Sequence, residues 1–369
     1  MLSGISAGTF AEIIGWGKCV PPAILTNDDI ATFMQTSDEW IFSRTGIKQR
    51  HISHVPCSEM ARVASERAIA CAGIKAEELD LVIFGSNSPN EMVPNSASLI
   101  VNQIGAVNAS GFDINSACTS FLYSLNVATD MIKAGSVQTV LVIGMEKASR
   151  FLDWGKRDSA VLFGDGGGAV VLQASEDVLG LIDAKLTIVQ DTREMIQIPG
   201  LGMDISREKL KDFYYTINFN GQGVFKNAIR GMKEACESVL KRTGFSIDEI
   251  ELFVPHQANL RIIQTLAKQM DFDMQNVMVC VDKYANTSAG TIPLALCEAL
   301  EAGKIKPNMT ILTTAFGAGL TCGAGLIRWG NRVTPISESN AELPECNQTA
   351  LEIIQPAIDA ASEYYKDKS

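Results

Sequence analysis

The chain has 369 residues, of which 46% are hydrophobic, and a formal charge of −11, enough apolar material for one large core or two fused ones. No apolar run approaches the length needed to cross a bilayer, and the acidic excess argues against general nucleic-acid binding. Nine scattered cysteines, odd in number and free of C-x-x-C pairs, speak against a disulfide framework or a zinc site and fit a reducing cytoplasm.

At the N-terminal end no basic segment precedes an apolar one, and Glu12 interrupts Phe10 to Ile14, so export is not expected. Ile13 and Ile14 belong to a strand; Pro21-Pro22 then leads into a helix opened by Thr26 to Asp29, with Asn27 as its expected cap. Ser37 to Ile47 reads as a helix ended by Gly46, and Met60 to Ala72 as another ended by Gly73. A strand over Leu81 to Phe84, the loop 86–94 and a short helix over Ala97 to Ile104 follow.

Gly111 to Ile114 reads as the end of a strand, whereas Phe121, Leu125, Ala128 and Ile132 recur at helical spacing, so Cys118 is expected near the first turn of a helix. There the unpaired backbone N–H groups favour a thiolate, which predicts a depressed pKa and a nucleophile. The alternative is a packing cysteine, because free cysteine is among the most buried residue types. Val140 to Gly144 is short, continuously apolar and β-branched, the mark of a strand buried on both faces in a parallel sheet. Gly164 to Ala169 lies between two strand-like runs, Ala160 to Phe163 and Ala169 to Leu172, and is read as a tight turn or bulge.

The second half repeats the first. Gly73 to Leu81 matches Gly244 to Leu252 without a gap at an offset of 171 positions, and the same offset sets Cys118 opposite Ala289. Two copies of one α/β unit related by pseudo-twofold symmetry are expected, with the active site on their seam. His256 follows the strand Glu251 to Val254 at its C-terminal end, where open α/β sheets place their chemistry. It is either a satisfied structural histidine or a partner of the cysteine. Asn286 ends one strand and opens a helix, as a cap or as an amide donor to a developing oxyanion.

With Cys118, His256 and Asn286, the runs VPHQANLRII (254–263) and ANTSAG (285–290), supported by SDEWIFSRTGI (37–47), FGDGGGA (163–169) and AFGAGLTCG (315–323), resemble the thiolase-like condensing enzymes over residues 10–330. Within them the resemblance is to β-ketoacyl-acyl carrier protein synthase III. It implies a thiolase-like α/β fold of two pseudo-twofold-related halves, with central mixed sheets and helices in layers. The halves are placed at 1–185, carrying the nucleophile, and 186–330, carrying histidine and asparagine; 331–369 is an extension with a linker and a helix over Ala350 to Tyr365. It further implies Cys118, His256 and Asn286 as catalytic residues, Trp40, Arg44 and Arg157 as coenzyme A contacts, Asn259 as a substrate contact and Phe316 beside the decarboxylating carboxylate. Lys226 and Arg261 are the implied docking residues for an acidic carrier protein. The implied reaction condenses an acyl-CoA primer with malonyl-acyl carrier protein, in a cytoplasmic homodimer whose Met92-Val93-Pro94 closes the neighbour's pocket, with no metal or redox cofactor.

Departures bear on the primer. Thr119-Ser120 follows the cysteine where small residues are usual, Tyr284-Ala285 stands where histidine and glycine are common, and 187–221 is a long connection. The terminal helix is read as a solvated surface helix rather than a partner-binding element. Phe316 stands where a biosynthetic thiolase would carry its second cysteine, which favours decarboxylative condensation over thiolysis. A specialised condensing enzyme of secondary metabolism and an inactive acyl-binding partner subunit are the competing readings.

Overall fold

In the computed structural model, which describes residues 9–198 and 216–366, the first half runs β1 (Phe10–Cys19), β2 (Ala23–Thr26), α1 (Asn27–Ala31), α2 (Asp38–Thr45), β3 (Gln49–Ile52), α3 (Cys57–Ala72) and β4 (Leu81–Gly85). It continues with α4 (Ser96–Ile104), β5 (Ser110–Ile114), α5 (Ser120–Lys133), β6 (Thr139–Lys147), α6 (Arg157–Ala160), β7 (Asp165–Ser175) and β8 (Gly180–Ile188). Beyond the short pair β9 (Ile196–Gln197) and β10 (Asn218–Phe219) lie α7 (Gly221–Thr243), β11 (Leu252–Pro255), α8 (Leu260–Gln269) and α9 (Val281–Tyr284). The last elements are α10 (Thr291–Glu301), β12 (Thr310–Gly317), β13 (Thr321–Arg328) and α11 (Ala350–Lys366). Residues 199–215 of the long connection lie outside the described residues.

Nine strands form one mixed sheet in the order β11-β12-β13-β8-β1-β7-β6-β4-β5. The sheet was expected to be parallel at β6; it pairs parallel with β4 but antiparallel with β7, because residues 148–164, with the short α6, double back at one end of the sheet instead of crossing over it. Helices α5 and α10 share one apolar core with strands of both halves, while α3 and α4 cover one outer face and α7 and α8 the other. The 171-position repeat is physical: Gly73 and Gly244 both end helices in the left-handed region, at φ 70° and 76°. Ala117 and Ser288, also 171 apart, both carry the strained φ that opens a one-turn 3₁₀ segment, at 51° and 50°.

Four local expectations are corrected. Thr26, not Asn27, caps α1: its hydroxyl accepts from Asp29 N at 3.1 Å while Asp29 Oδ2 accepts from Thr26 N at 2.8 Å. Asn27 is instead buried, its amide donating to Asp38 Oδ1 and to the Ile47 carbonyl, each at 2.8 Å. Ala160 to Phe163 is not a strand but the end of α6 and a turn, tied to the second half by Asn286 N donating to the Leu162 carbonyl at 3.0 Å. The glycine run that follows is the first part of β7 itself, with Gly166 at φ 135°. Finally, α11 is not a free surface helix, since Ala350, Ile354 and Ala361 are buried.

Candidate active site

The turn carrying Cys118 packs against the end of β12 so closely that a Cβ on Gly317 would lie 2.8 Å from Cys118 N. Cys118, Asn286, Ser288 and Phe316 line one predominantly apolar cavity of about 790 Å³, together with Ile196, Ile217, Phe219 and Phe225. The repeat thus brings the nucleophile candidate of one half and the asparagine loop of the other to the same wall. Ser288 Oγ donates to Cys118 Sγ at 3.3 Å.

The electrostatics of Cys118 overturn one expectation. Desolvation is the largest cause acting on the thiol, which is pushed up to about 12; the Ser288 hydroxyl lowers it and the nearby Glu146 carboxylate raises it further. Desolvation in the apolar cavity outweighs the helix start that α5, beginning at Ser120, supplies. Cys118 is therefore a thiol at neutral pH, and it needs a proton acceptor to attack.

His256 lies against Phe316, a residue of the cavity wall, and is held neutral. It leaves β11 with its backbone N–H bound to the Thr314 carbonyl at 2.8 Å, packs edge-on to Phe316 with ring centroids 5.2 Å apart, and is buried. Desolvation lowers its pKa to about 3, so the imidazole is neutral. Nδ1 lies 2.6 Å from Thr291 Oγ1, and Thr291 Oγ1 lies 3.1 Å from the Ser288 carbonyl, while the buried Nε2 has no partner among the described residues. One hydroxyl proton serves two acceptors here. When it goes to the Ser288 carbonyl, Nδ1–H donates to Thr291 and Nε2 is a base; when it goes to Nδ1, Nε2–H is a donor.

Asn286 does what a cap does, its Oδ1 accepting from Ser288 N at 2.8 Å, and its side chain lines the cavity. Trp40 is sandwiched between two guanidinium groups, Arg157 at 4.0 Å and Arg44 at 4.5 Å from the ring centroid, all three at the cavity wall. Asn259 caps α8 through Arg261 N at 2.8 Å and its amide donates to the Arg44 carbonyl at 3.2 Å, locking α8 to α2. Lys226 and Arg261 stand exposed on α7 and α8, the two helices that contribute Phe225 and Asn259 to the cavity. The exposed Met92 and Val93 sit in the loop before α4, on the side of the sheet where β5 is the edge strand. No helix among the described residues is long and apolar enough to cross a membrane.

Sequence reasoning missed Ser288, Thr291 and Glu146. The first two lie in or just beyond ANTSAG and could have been found by asking what fixes the histidine tautomer. Glu146 is fully buried at the back of the site, accepting from the Ser86 and Ser88 hydroxyls at 2.6 Å each, and nothing in its local pattern marks it.

This fold, with a cysteine, a histidine and an asparagine converging from two related halves, defines a thiolase-like condensing enzyme. Residues 112–188 match the family model described as 3-oxoacyl-[acyl-carrier-protein] synthase III, and residues 240–329 match the model of its C-terminal part. A β-ketoacyl-[acyl-carrier-protein] synthase III 2 of Vibrio cholerae is 50% identical over 358 residues, 97% of this chain and 99% of its own. A β-ketoacyl-[acyl-carrier-protein] synthase III of Xanthomonas oryzae is 38% identical over 88% of this chain and 100% of its own. The crystal structure of the Aquifex aeolicus 3-oxoacyl-[acyl-carrier-protein] synthase III superimposes with a TM-score of 0.82 at 40% identity, covering 86% of this chain and 100% of that one. The chain belongs to the β-ketoacyl-acyl carrier protein synthase III family.

Proposed function

We propose that the chain starts fatty acid synthesis by decarboxylative condensation of an acyl-CoA primer with malonyl-acyl carrier protein. The observation that supports this most is the shared cavity, with Cys118, Asn286 and Phe316 on its wall and the Trp40, Arg44 and Arg157 stack beside them. The stack takes the nucleotide of coenzyme A, and Asn259 holds α2 and α8 together around the pantetheine. His256 Nε2 receives the Cys118 proton as sulfur attacks the thioester; backbone N–H groups at Cys118 and the 316–319 turn hold the oxyanion, and the departing coenzyme A thiolate takes the proton back. Malonyl-acyl carrier protein then binds with its carboxylate against Phe316. As the C–C bond breaks and carbon dioxide leaves, the electron pair moves onto the thioester oxygen, where His256 Nε2–H and Asn286 Nδ2–H stabilise the enolate. Its carbon attacks the acyl group and expels the Cys118 thiolate, which takes up a proton from solvent to restore the resting thiol. Thr291 suits both steps, because its hydroxyl accommodates either tautomer.

The halves 1–185 and 186–330 with the extension 331–369, the homodimer closed by Met92 to Pro94, the cytoplasmic location and the absence of a metal or redox cofactor belong to the same reading. Lys226 and Arg261 receive the acidic carrier protein, a docking surface that matters in a chain of net charge −11. Reversing both charges should raise KM for malonyl-acyl carrier protein, increasingly so at low salt, and leave acylation by acyl-CoA alone. A defect confined to acyl-CoA would reassign the patch.

The pH profile of acyl-enzyme formation tests the acid–base assignment. With His256 near 3 and Cys118 near 12, neither group titrates between pH 5 and 8, so the proton passes within the pair and the acylation rate stays flat. In His256→Ala the attack depends on preformed thiolate, and the rate should climb about tenfold per pH unit over that window. A wild-type limb with a midpoint near 6 or 7 would contradict the assignment.

A further inference from the structure

The extension beyond β13 is part of this reading's coenzyme A site without touching the substrate. Leaving β13, the chain is strapped across α3: Ile336 N donates to the Cys71 carbonyl at 3.0 Å, Arg67 donates to the Ala341 carbonyl at 3.0 Å, and His54 Nε2 meets the Pro344 carbonyl at 2.8 Å. Helix α11 then lays Ala350 and Ile354 into an apolar cluster that also holds Leu152, Trp154, Val161 and Trp40, so the strap and the cavity wall share one packing unit. Its last turn ends on the loop that presents Arg157. Tyr365 Oη donates to Asp153 Oδ2 at 2.5 Å, and the fully buried Asp153 also accepts from Gly155 N at 3.0 Å. Lys156 Nζ lies 3.5 Å from the same carboxylate oxygen, and Arg157, the next residue, stacks on Trp40.

We propose that the C-terminal strap is a positioning element for the nucleotide clamp, with Tyr365 as the positioning residue that holds Asp153 and thereby the Arg157 side of the stack. Residues 155–158 are exposed beyond the buried Trp154, with Arg157 also donating to the Gln35 carbonyl at 3.0 Å, and a hydrogen bond to the buried Asp153 carboxylate fixes their register from the other side. The apolar face of α11 secures the other side. The match to the Vibrio cholerae relative spans nearly all of this chain and so takes in most of the strap, whereas the Xanthomonas relative is matched over its full length by a shorter part.

The test rests on the coenzyme A assignment above and separates the two ideas. Each variant is assayed with an acyl-CoA and with the pantetheine thioester of the same acyl group, the group being whichever the wild-type enzyme loads fastest. The readout is the ratio of KM for the CoA thioester to KM for the pantetheine thioester, with kcat and the thermal midpoint. Tyr365→Phe should raise the ratio about 5- to 10-fold, within the range of one ordinary hydrogen bond, with kcat unchanged. Gly155→Ala, whose Cβ would stand 2.8 Å from the Tyr365 ring, should raise it in the same direction. Arg157→Ala is the reference: if it does not raise the ratio, the nucleotide does not lie on this stack and both ideas fall. If Arg157→Ala raises the ratio while Tyr365→Phe and Gly155→Ala leave it at the wild-type value, the strap proposal alone is overturned. A KM rise for both thioesters alike, or a loss of kcat, also overturns it, because general loosening gives that pattern.

Discussion

Cys118→Ala should form no acyl-enzyme yet still release carbon dioxide from malonyl-acyl carrier protein, while Asn286→Ala should acylate and decarboxylate about 10² to 10³ slower. The asymmetry follows from where each group points. The sulfur carries the acyl group and plays no part in breaking the malonyl C–C bond. In the proposed mechanism the Asn286 amide, held through its Oδ1 by Ser288 N at 2.8 Å, gives one fixed donor to the enolate oxygen, and losing such a donor costs about 3 to 4 kcal/mol in the transition state. His256→Ala should lose decarboxylation to a similar degree and acylation as well, since its neutral Nε2 is also the base. Intact mass reads the adduct and labelled carbon dioxide reads the second step. Should Asn286→Ala abolish acylation while decarboxylating normally, Asn286 is a cap that shapes the cysteine's pocket and nothing more.

Gly290→Ala and Gly167→Ala should each cost about 3 kcal/mol of stability, the upper end for overpacking, and most of the activity. Neither glycine is needed for its φ. The reason is close approach: a Cβ on Gly167 would lie 2.1 Å from the Gly144 carbonyl oxygen, and one on Gly290 would lie 2.3 Å from the Gly166 carbonyl oxygen. Both obstacles are backbone and cannot swing aside. The Gly290 contact crosses the seam between the halves, so forcing it apart also moves the Asn286 to Ser288 loop away from Cys118, whereas the Gly167 contact joins β6 to β7 within the first half. Urea unfolding and acylation rate measure the two effects. If Gly290→Ala is as stable and as active as wild type, the seam is not packed as described.

How much of this was legible in the chain depended on whether the signal was local. The helix ends at Gly46 and Gly73, the strands over 81–85 and 139–147 and the 171-position repeat could be read directly, because caps and apolar runs act within a few residues. The family resemblance carried by the long, ordered motifs implied Cys118, Asn286, Trp40 and Arg157 together, and all four line one cavity, although Arg157 itself lies in none of those motifs. The thiol of Cys118 could not be read from the chain. Its pKa is set by burial in a cavity built from both halves, which outweighs the helix start that the local pattern showed. Asn27 was the expected cap of α1, but Asp38 and Ile47 take its amide, and the capping falls to Thr26. The glycine run at 164–168 looked like a turn because its packing partners, the 144 strand and the 290 helix start, are remote in sequence. The same holds for α11, whose apolar face is explained by a cluster some 200 residues upstream.

The central claim is that Cys118 carries the primer between two half-reactions. Incubation with a panel of acyl-CoA thioesters, followed by intact mass and peptide mapping, should show one adduct on Cys118, which malonyl-acyl carrier protein then discharges as a β-ketoacyl-acyl carrier protein. An adduct on any of the other eight cysteines, or a Cys118 adduct that malonyl-acyl carrier protein leaves in place, would contradict it.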